Sequence, residues 1–178
     1  TYTIEANTTY PYLISSAPAQ HAATFMALGE VDSTNHFAYI LLPGVNDLVL
    51  GTYADHPRPG FDNTLFLTYR NYGTTALPAT LQLSVDADQS FVGSSPAPTT
   101  LVGNTATWVL GTLPIGASGQ VAVTLHTDTV IPLGTPVQHT AVIDPVAGDT
   151  VPTNNTTLWT DPVVGAYAPN DKLLDIPA

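Results

Sequence analysis

The stretch Phe61-Asp-Asn-Thr-Leu-Phe-Leu-Thr-Tyr-Arg-Asn-Tyr-Gly-Thr-Thr-Ala-Leu-Pro-Ala-Thr-Leu-Gln-Leu-Ser-Val85 decides the fold. Leu65, Leu67 and Tyr69 alternate with Phe66, Thr68 and Arg70, and Leu81, Leu83 and Val85 alternate with Thr80, Gln82 and Ser84. A period of two belongs to a half-buried strand and cannot place these side chains on one face of a helix. Between the runs, Asn71 to Pro78 reads as a turn, with Asn and Gly available for unusual backbone angles and Pro to end pairing. Strands of this kind bury one face each, so they need a second sheet against them.

The rest of the chain supplies that cover. Leu48–Tyr53, Thr105–Leu110, Gln120–Thr127, Val137–Ile143 and Thr156–Thr160 read as further strands. On the third, Val121, Val123 and Leu125 share a face; on the second, Ala106, Trp108 and Leu110 do, which makes Trp108 a core residue. Asp86 to Asn104 is expected as a long crossover connection between sheets. Seven or eight short strands separated by turns predict an all-β protein, an immunoglobulin-like antiparallel β-sandwich. Ahead of it, Thr1–Ile4, Tyr10–Ile14, Ala22–Leu28 and His36–Leu42 read as four strands with too little core for a sandwich of their own. The expected organisation is an N-terminal β segment over 1–42 packed against the sandwich, a proline-rich junction with a first strand over 43–60, the sandwich over 61–166 and an exit linker over 167–178. The chain lacks an initiator Met and reads as a piece cut from something longer.

Composition narrows function. In 178 residues, 44% are hydrophobic and only 10% charged, so a packed core is expected beneath a polar but largely uncharged surface. Sixteen Pro and thirteen Gly favour many short elements over long helices. The net charge is −11, with Arg58, Arg70 and Lys172 the only strong cations, which argues against nucleic acid as a partner. No apolar run has the length of a membrane span, so no membrane insertion is expected. Without Cys there are no disulfides, thiolate metal sites or Cys nucleophiles.

Candidate sites are sparse. His126, Asp128 and His139 are the residues best suited to a transition metal or a catalytic role, but His126 and His139 lie on faces of different strands that do not converge. No Gly-x-Ser-x-Gly elbow occurs, and Gly93-Ser94-Ser95-Pro96 has no His nearby in sequence. Asp86 and Asp88 read as a solvated turn rather than a glycosidase pair. Calcium fits better: Asp144, Asp149, Asp161 and Asp171 sit in turns and the exit segment, where hard oxygen ligands are available. No EF-hand spacing is present, and no cofactor is required for the fold. Tyr10, Tyr12, Tyr39, Tyr53, Tyr72 and Trp159 are candidates for a sugar-stacking surface, provided two or three rings meet on one side.

Several motifs resemble a known family. Arg58-Pro-Gly-Phe-Asp62 and Tyr69-Arg-Asn-Tyr-Gly-Thr-Thr75 are similar to the opening of the Ig-like conserved-repeat domains of large secreted and cell-surface proteins of Bacteroidota. Trp108-Val-Leu-Gly-Thr-Leu-Pro-Ile-Gly116 resembles their W-x-L-G-x-L-x-x-G core, and Pro152-Thr-Asn-Asn155 with Val163–Lys172 their closing motif, where Ala168 stands in place of a common Asp. The first 42 residues look like the last strands of a Cna-B-like stalk domain. The resemblance implies an extracellular or bacterial cell-surface location, type IX secretion, and a non-catalytic structural or adhesive module: a stalk, spacer or filament unit. It also implies O-glycosylation at Ser33, Thr129 and Thr150, each central in an Asp-Ser/Thr-x triplet or its close variant. The expected partners are neighbouring domains of the same chain, surface polysaccharide, a host protein or other copies of itself. An alternative is a carbohydrate- or protein-binding accessory module of a secreted enzyme.

Overall fold

The computed structural model describes residues 1–165. Its elements are strands β1 (Tyr2–Glu5), β2 (Leu13–Ala17), β3 (Gln20–Ala23), β4 (Ala38–Leu41), β5 (Leu48–Ala54), β6 (Asp62–Asn71), β7 (Leu77–Ser84), β8 (Gln89–Ser95), β9 (Thr100–Val102), β10 (Thr105–Leu113), β11 (Ser118–Thr127), β12 (Pro136–Asp144) and β13 (Thr156–Pro162), with one 3-10 turn at Pro152–Asn154. The protein is all-β, and its main body is an Ig-like sandwich. One sheet runs β13-β12-β7-β10-β9, the other β5-β6-β11-β8, with antiparallel neighbours throughout.

The two diagnostic runs do not form a hairpin. β6 lies in the four-stranded sheet and β7 in the five-stranded one, so the segment after Asn71 carries the chain from one layer to the other. Leu65 and Leu67 on one sheet, and Leu81 and Leu83 on the other, are all fully buried in a single core with Trp108, Val121, Val123, Leu125 and Ile143. Each such side chain taken from water contributes about 1.5–3 kcal/mol, so the alternation is the main stabilising feature of the body.

The connection depends on side-chain and backbone contacts that propensity does not reveal. The buried Asn71 amide donates to the carbonyls of Thr75 (2.8 Å) and Leu113 (3.0 Å), and its oxygen accepts from the Gly73 N–H (2.9 Å). Gly73 is needed for space rather than for a left-handed angle: a Cβ there would lie 2.5 Å from the Val45 carbonyl oxygen and 2.7 Å from the Asp47 nitrogen. Pro78 does not end pairing. It sits inside β7 opposite Thr112, beyond the point at which β12 last pairs with β7, where a missing N–H is tolerated.

Asp86 to Asn104 departs from expectation. It is not one long connection but holds β8, on the edge of one sheet, and β9, on the edge of the other. The segment 43–60 contributes β5, the other edge of the four-stranded sheet, with Leu48 and Leu50 in the core. The first 42 residues form two small ladders, β1 with β3 and β2 with β4. Tyr10 to Tyr12 belong to a turn rather than to β2, and the third strand stops at Ala23, leaving Met26, Leu28 and Val31 exposed.

The sandwich has a clear polarity. Residues 42–47 run beside the end of β6, where Thr74 Oγ1 donates to the Leu42 carbonyl at 2.6 Å. Val164 leaves at the other end of β6, its N–H bonded to the Pro57 carbonyl at 2.9 Å. Ten strand residues separate the two points, roughly 30 Å.

Candidate functional site

Where the N-terminal segment meets the sandwich, three tyrosines and an arginine line a cavity of about 560 Å³. Arg70 reaches it because it shares the outward parity of Phe66 and Thr68 on β6. Tyr72 follows just beyond the strand, its backbone held by a 2.8 Å bond from its N–H to the Asp47 carbonyl. The Arg70 guanidinium carbon stands 4.6 Å from the Tyr72 ring centroid, a cation–π arrangement. Tyr39 comes from β4 and Tyr10 from the turn before β2; Asn7 and Thr9 close one side. The Asn7 side-chain oxygen accepts from both the N–H (3.0 Å) and the hydroxyl (2.7 Å) of Thr9. Tyr10, Tyr39 and Tyr72, separate in sequence, are thus brought to one place.

The segment is fastened by a neighbouring tyrosine. Tyr12 adopts φ of +63°, a left-handed conformation that costs roughly 1–3 kcal/mol for such a residue. It turns the phenol toward the sandwich, where its hydroxyl donates to Asp47 Oδ2 at 2.7 Å. Asp47 is buried and also accepts from the Asn154 side-chain amide at 2.9 Å. Donation to Asp47 pushes the Tyr12 pKa up to about 12, with burial and the charges of Asp47 and Asp149 acting in the same direction.

The other aromatics are placed elsewhere. Tyr53 stacks on Phe66 (4.7 Å between centroids, 16° between planes) on the outer face of the four-stranded sheet. Trp159 is half-buried against the core and does not line this cavity.

The acidic residues expected around calcium are spread apart. Asp144 ends β12, whereas Asp161 pairs with Val137 at the start of β12, about 20 Å away along the strand. Asp161 Oδ2 lies 2.7 Å from His56 Nδ1. Asp149 accepts from the N–H groups of Leu48 (2.8 Å) and Val151 (2.8 Å) and from the Asn155 amide (3.2 Å), which is a turn-fixing role. Asp171 lies outside the described residues. Among the described residues, no three His, Asp or Glu side chains gather as a metal site. Ser33, Thr129 and Thr150 are all exposed, each following an Asp whose carboxylate accepts from the backbone N–H two residues on.

The histidines separate in the same way. His126 is half-exposed, with Nδ1 2.6 Å from Asp62 Oδ1. His139 is buried; its Nδ1 accepts from the Asp86 N–H at 3.1 Å, which fixes the neutral ring with its proton on Nε2. Burial lowers its pKa to about 4, against the opposing pull of the Asp86 charge. Arg70 escaped sequence reading; the available signal was a rare cation on the outward parity of a strand, two residues before a tyrosine.

No protein-family model and no curated protein sequence matches the chain. Among solved structures, a CARDB domain from Pyrococcus furiosus aligns with a TM-score of 0.49 and 14% identity, over 67% of this chain and 96% of that one. BslA, a bacterial hydrophobin, aligns at 0.41 and 14% identity over 70% and 98%. The sixth cohesin of scaffoldin B from Acetivibrio cellulolyticus, in complex with a dockerin, aligns at 0.41 and 11% identity over 66% and 99%. At these scores the likenesses bear on neither ligand nor partner. Among the described residues no helix is long and apolar enough to cross a membrane.

Proposed function

We propose that the chain is a non-catalytic structural or adhesive module of a bacterial cell-surface or secreted protein, acting as a stalk, spacer or filament unit. The observation that carries this reading is the placement of its first and last sandwich strands. β5 and β13 are edge strands of opposite sheets, and the chain comes in beside one end of β6 and leaves beside the other. Tension along the chain therefore shears β5 against β6 and β13 against β12, loading many ladder hydrogen bonds together instead of peeling them one by one. The outgoing residues are pinned as well: Val163 is buried, its N–H bonds the Thr135 carbonyl at 2.8 Å, and its own carbonyl accepts from Gly134 at 2.8 Å.

Pulling single molecules from the two termini tests the reading. One cooperative rupture of the sandwich, extending the chain by about 350–400 Å, is the expected result. Stepwise yielding at forces little above thermal noise would end the stalk reading.

A second reading, a carbohydrate-binding accessory module, is favoured by one observation: the convergence of Tyr10, Tyr39 and Tyr72 on one cavity. Calcium at the turns and O-glycosylation at Ser33, Thr129 and Thr150 remain proposals alongside these, tested respectively by thermal melts with and without Ca²⁺ and by the intact mass of protein from its native host.

A further inference from the structure

We infer that the cleft between the N-terminal segment and the sandwich binds a carboxylate-bearing saccharide, a uronic-acid unit, with Arg70 reading the acid. The inference rests on the second reading above and makes it more specific. Its first ground is shape and lining: about 560 Å³, with Tyr10, Tyr39 and Tyr72 around it, suits a sugar ring, whose C–H faces pack on aromatic rings. Asn7 and Thr9 add hydrogen-bonding groups at the same rim.

The second ground is the state of Arg70. Among the described residues, its buried Nε has no hydrogen-bond partner and its side chain makes no ion pair. The protein itself encloses that nitrogen, so the terminal nitrogens of the side chain would meet a ligand, and a carboxylate is the group that answers a planar guanidinium with two parallel hydrogen bonds. Tyr72 covers one face of the guanidinium by the 4.6 Å cation–π contact, which fixes the plane in which the acid would be read.

The third ground is charge. The chain carries fourteen Asp and Glu and a net charge of −11, yet no acidic side chain lines this cleft. An anionic group would be repelled by most of the surface and least opposed here, so this distribution directs a short acidic saccharide to the cleft.

The test is calorimetric titration of the full chain with trigalacturonate, the matching neutral galactose trisaccharide, and an acidic tripeptide, repeated on Arg70→Gln and Tyr39→Ala. Tyr39 lies half-exposed on β4 and serves as a variant with little risk to folding; thermal melts check both proteins. Trigalacturonate is expected to bind at least tenfold more tightly than the neutral sugar. Arg70→Gln should abolish that preference while sparing weak neutral binding, and Tyr39→Ala should weaken both sugars severalfold. Equal binding of the two sugars, unchanged by Arg70→Gln, overturns the acid-reading role and leaves the carbohydrate reading standing. Binding of the acidic peptide without either sugar overturns the saccharide assignment, and no binding of any probe overturns both it and the accessory-module reading.

Discussion

The sandwich and the first 42 residues are built from the same alternating pattern, and only one of them closes a core. Twenty of the buried hydrophobic residues belong to the body from Val45 to Val163, while the N-terminal segment contributes Ala23 alone. In the body, alternation on one sheet faces alternation on another, and Leu65, Leu67, Leu81 and Leu83 meet. In the N-terminal segment two separate two-stranded ladders leave Ile14 and Ile40 mostly exposed. Period two therefore announces a strand; burial needs a second layer, and the segment obtains part of its fixing from the sandwich through Tyr12, Thr74 and Asp47 instead.

That contrast breaks most visibly at the crossing between layers. Asn71→Ala strands the carbonyls of Thr75 and Leu113 and takes one of two acceptors from the Gly73 N–H, which keeps the Asp47 carbonyl at 3.1 Å; it should destabilise the sandwich by about 4 kcal/mol in urea unfolding. Gly73→Ala, which drives a methyl into the Val45–Asp47 backbone, should cost about 3 kcal/mol. If either leaves the midpoint unchanged, the crossing is not what closes the body.

Acid provides the next test. His139 holds its proton less tightly when folded, so protonation favours the unfolded chain. Its contribution is whole above pH 6.5 and is lost as pH falls toward 4, amounting to about 3 kcal/mol across that window. His139→Gln retains an acceptor for the Asp86 N–H, and its unfolding free energy should vary less between pH 7 and pH 4.5 than that of the parent.

Two smaller effects sharpen the comparison from the other side. Tyr12→Phe should cost the docked segment about 2 kcal/mol, visible as faster amide exchange in β2 and β4 with β6 and β11 unchanged. Because docking holds the phenol proton, raising the pH of the parent protein from 10 toward about 12 should loosen the same strands. His126→Ala removes only an exposed pair with Asp62 and should shift stability by less than about 0.5 kcal/mol.

Much of the body was legible in the sequence because its strands are long and one-sided: Val121, Val123 and Leu125, or Ala106 and Trp108, declare their faces unaided. The edges were not. β8 reads Gln-Ser-Phe-Val-Gly-Ser-Ser, and only Gln89 is buried there, bonded through its amide to Asn63 (2.8 Å) and Thr127 (2.7 Å). A polar inward residue at a rim conceals the very period that identifies a strand. Gly73 was recognised as a turn residue, but its crowding by Val45 and Asp47 depends on segments that meet only in the fold. The cleft was half legible: the tyrosines could be named as candidates, whereas their meeting depends on β4 and on the turn at Tyr10 being carried to the end of β6. The separation of Asp161 from Asp144 and Asp149 has the same origin, since Asp161 lies within β13, which carries the chain from their turn back to the opposite end of β12.

The passage of the chain back and forth between layers also sets how quickly the body can assemble. β6 and β7 follow one another without pairing; β6 has its predecessor β5 at hand, but on its other side Leu67 waits for Val121, and Leu83 waits for Ala106 and Ala141. Large loops must close before those distant partners repay the lost chain entropy, which places refolding in the millisecond-to-second range typical of such topologies rather than among the microsecond folders.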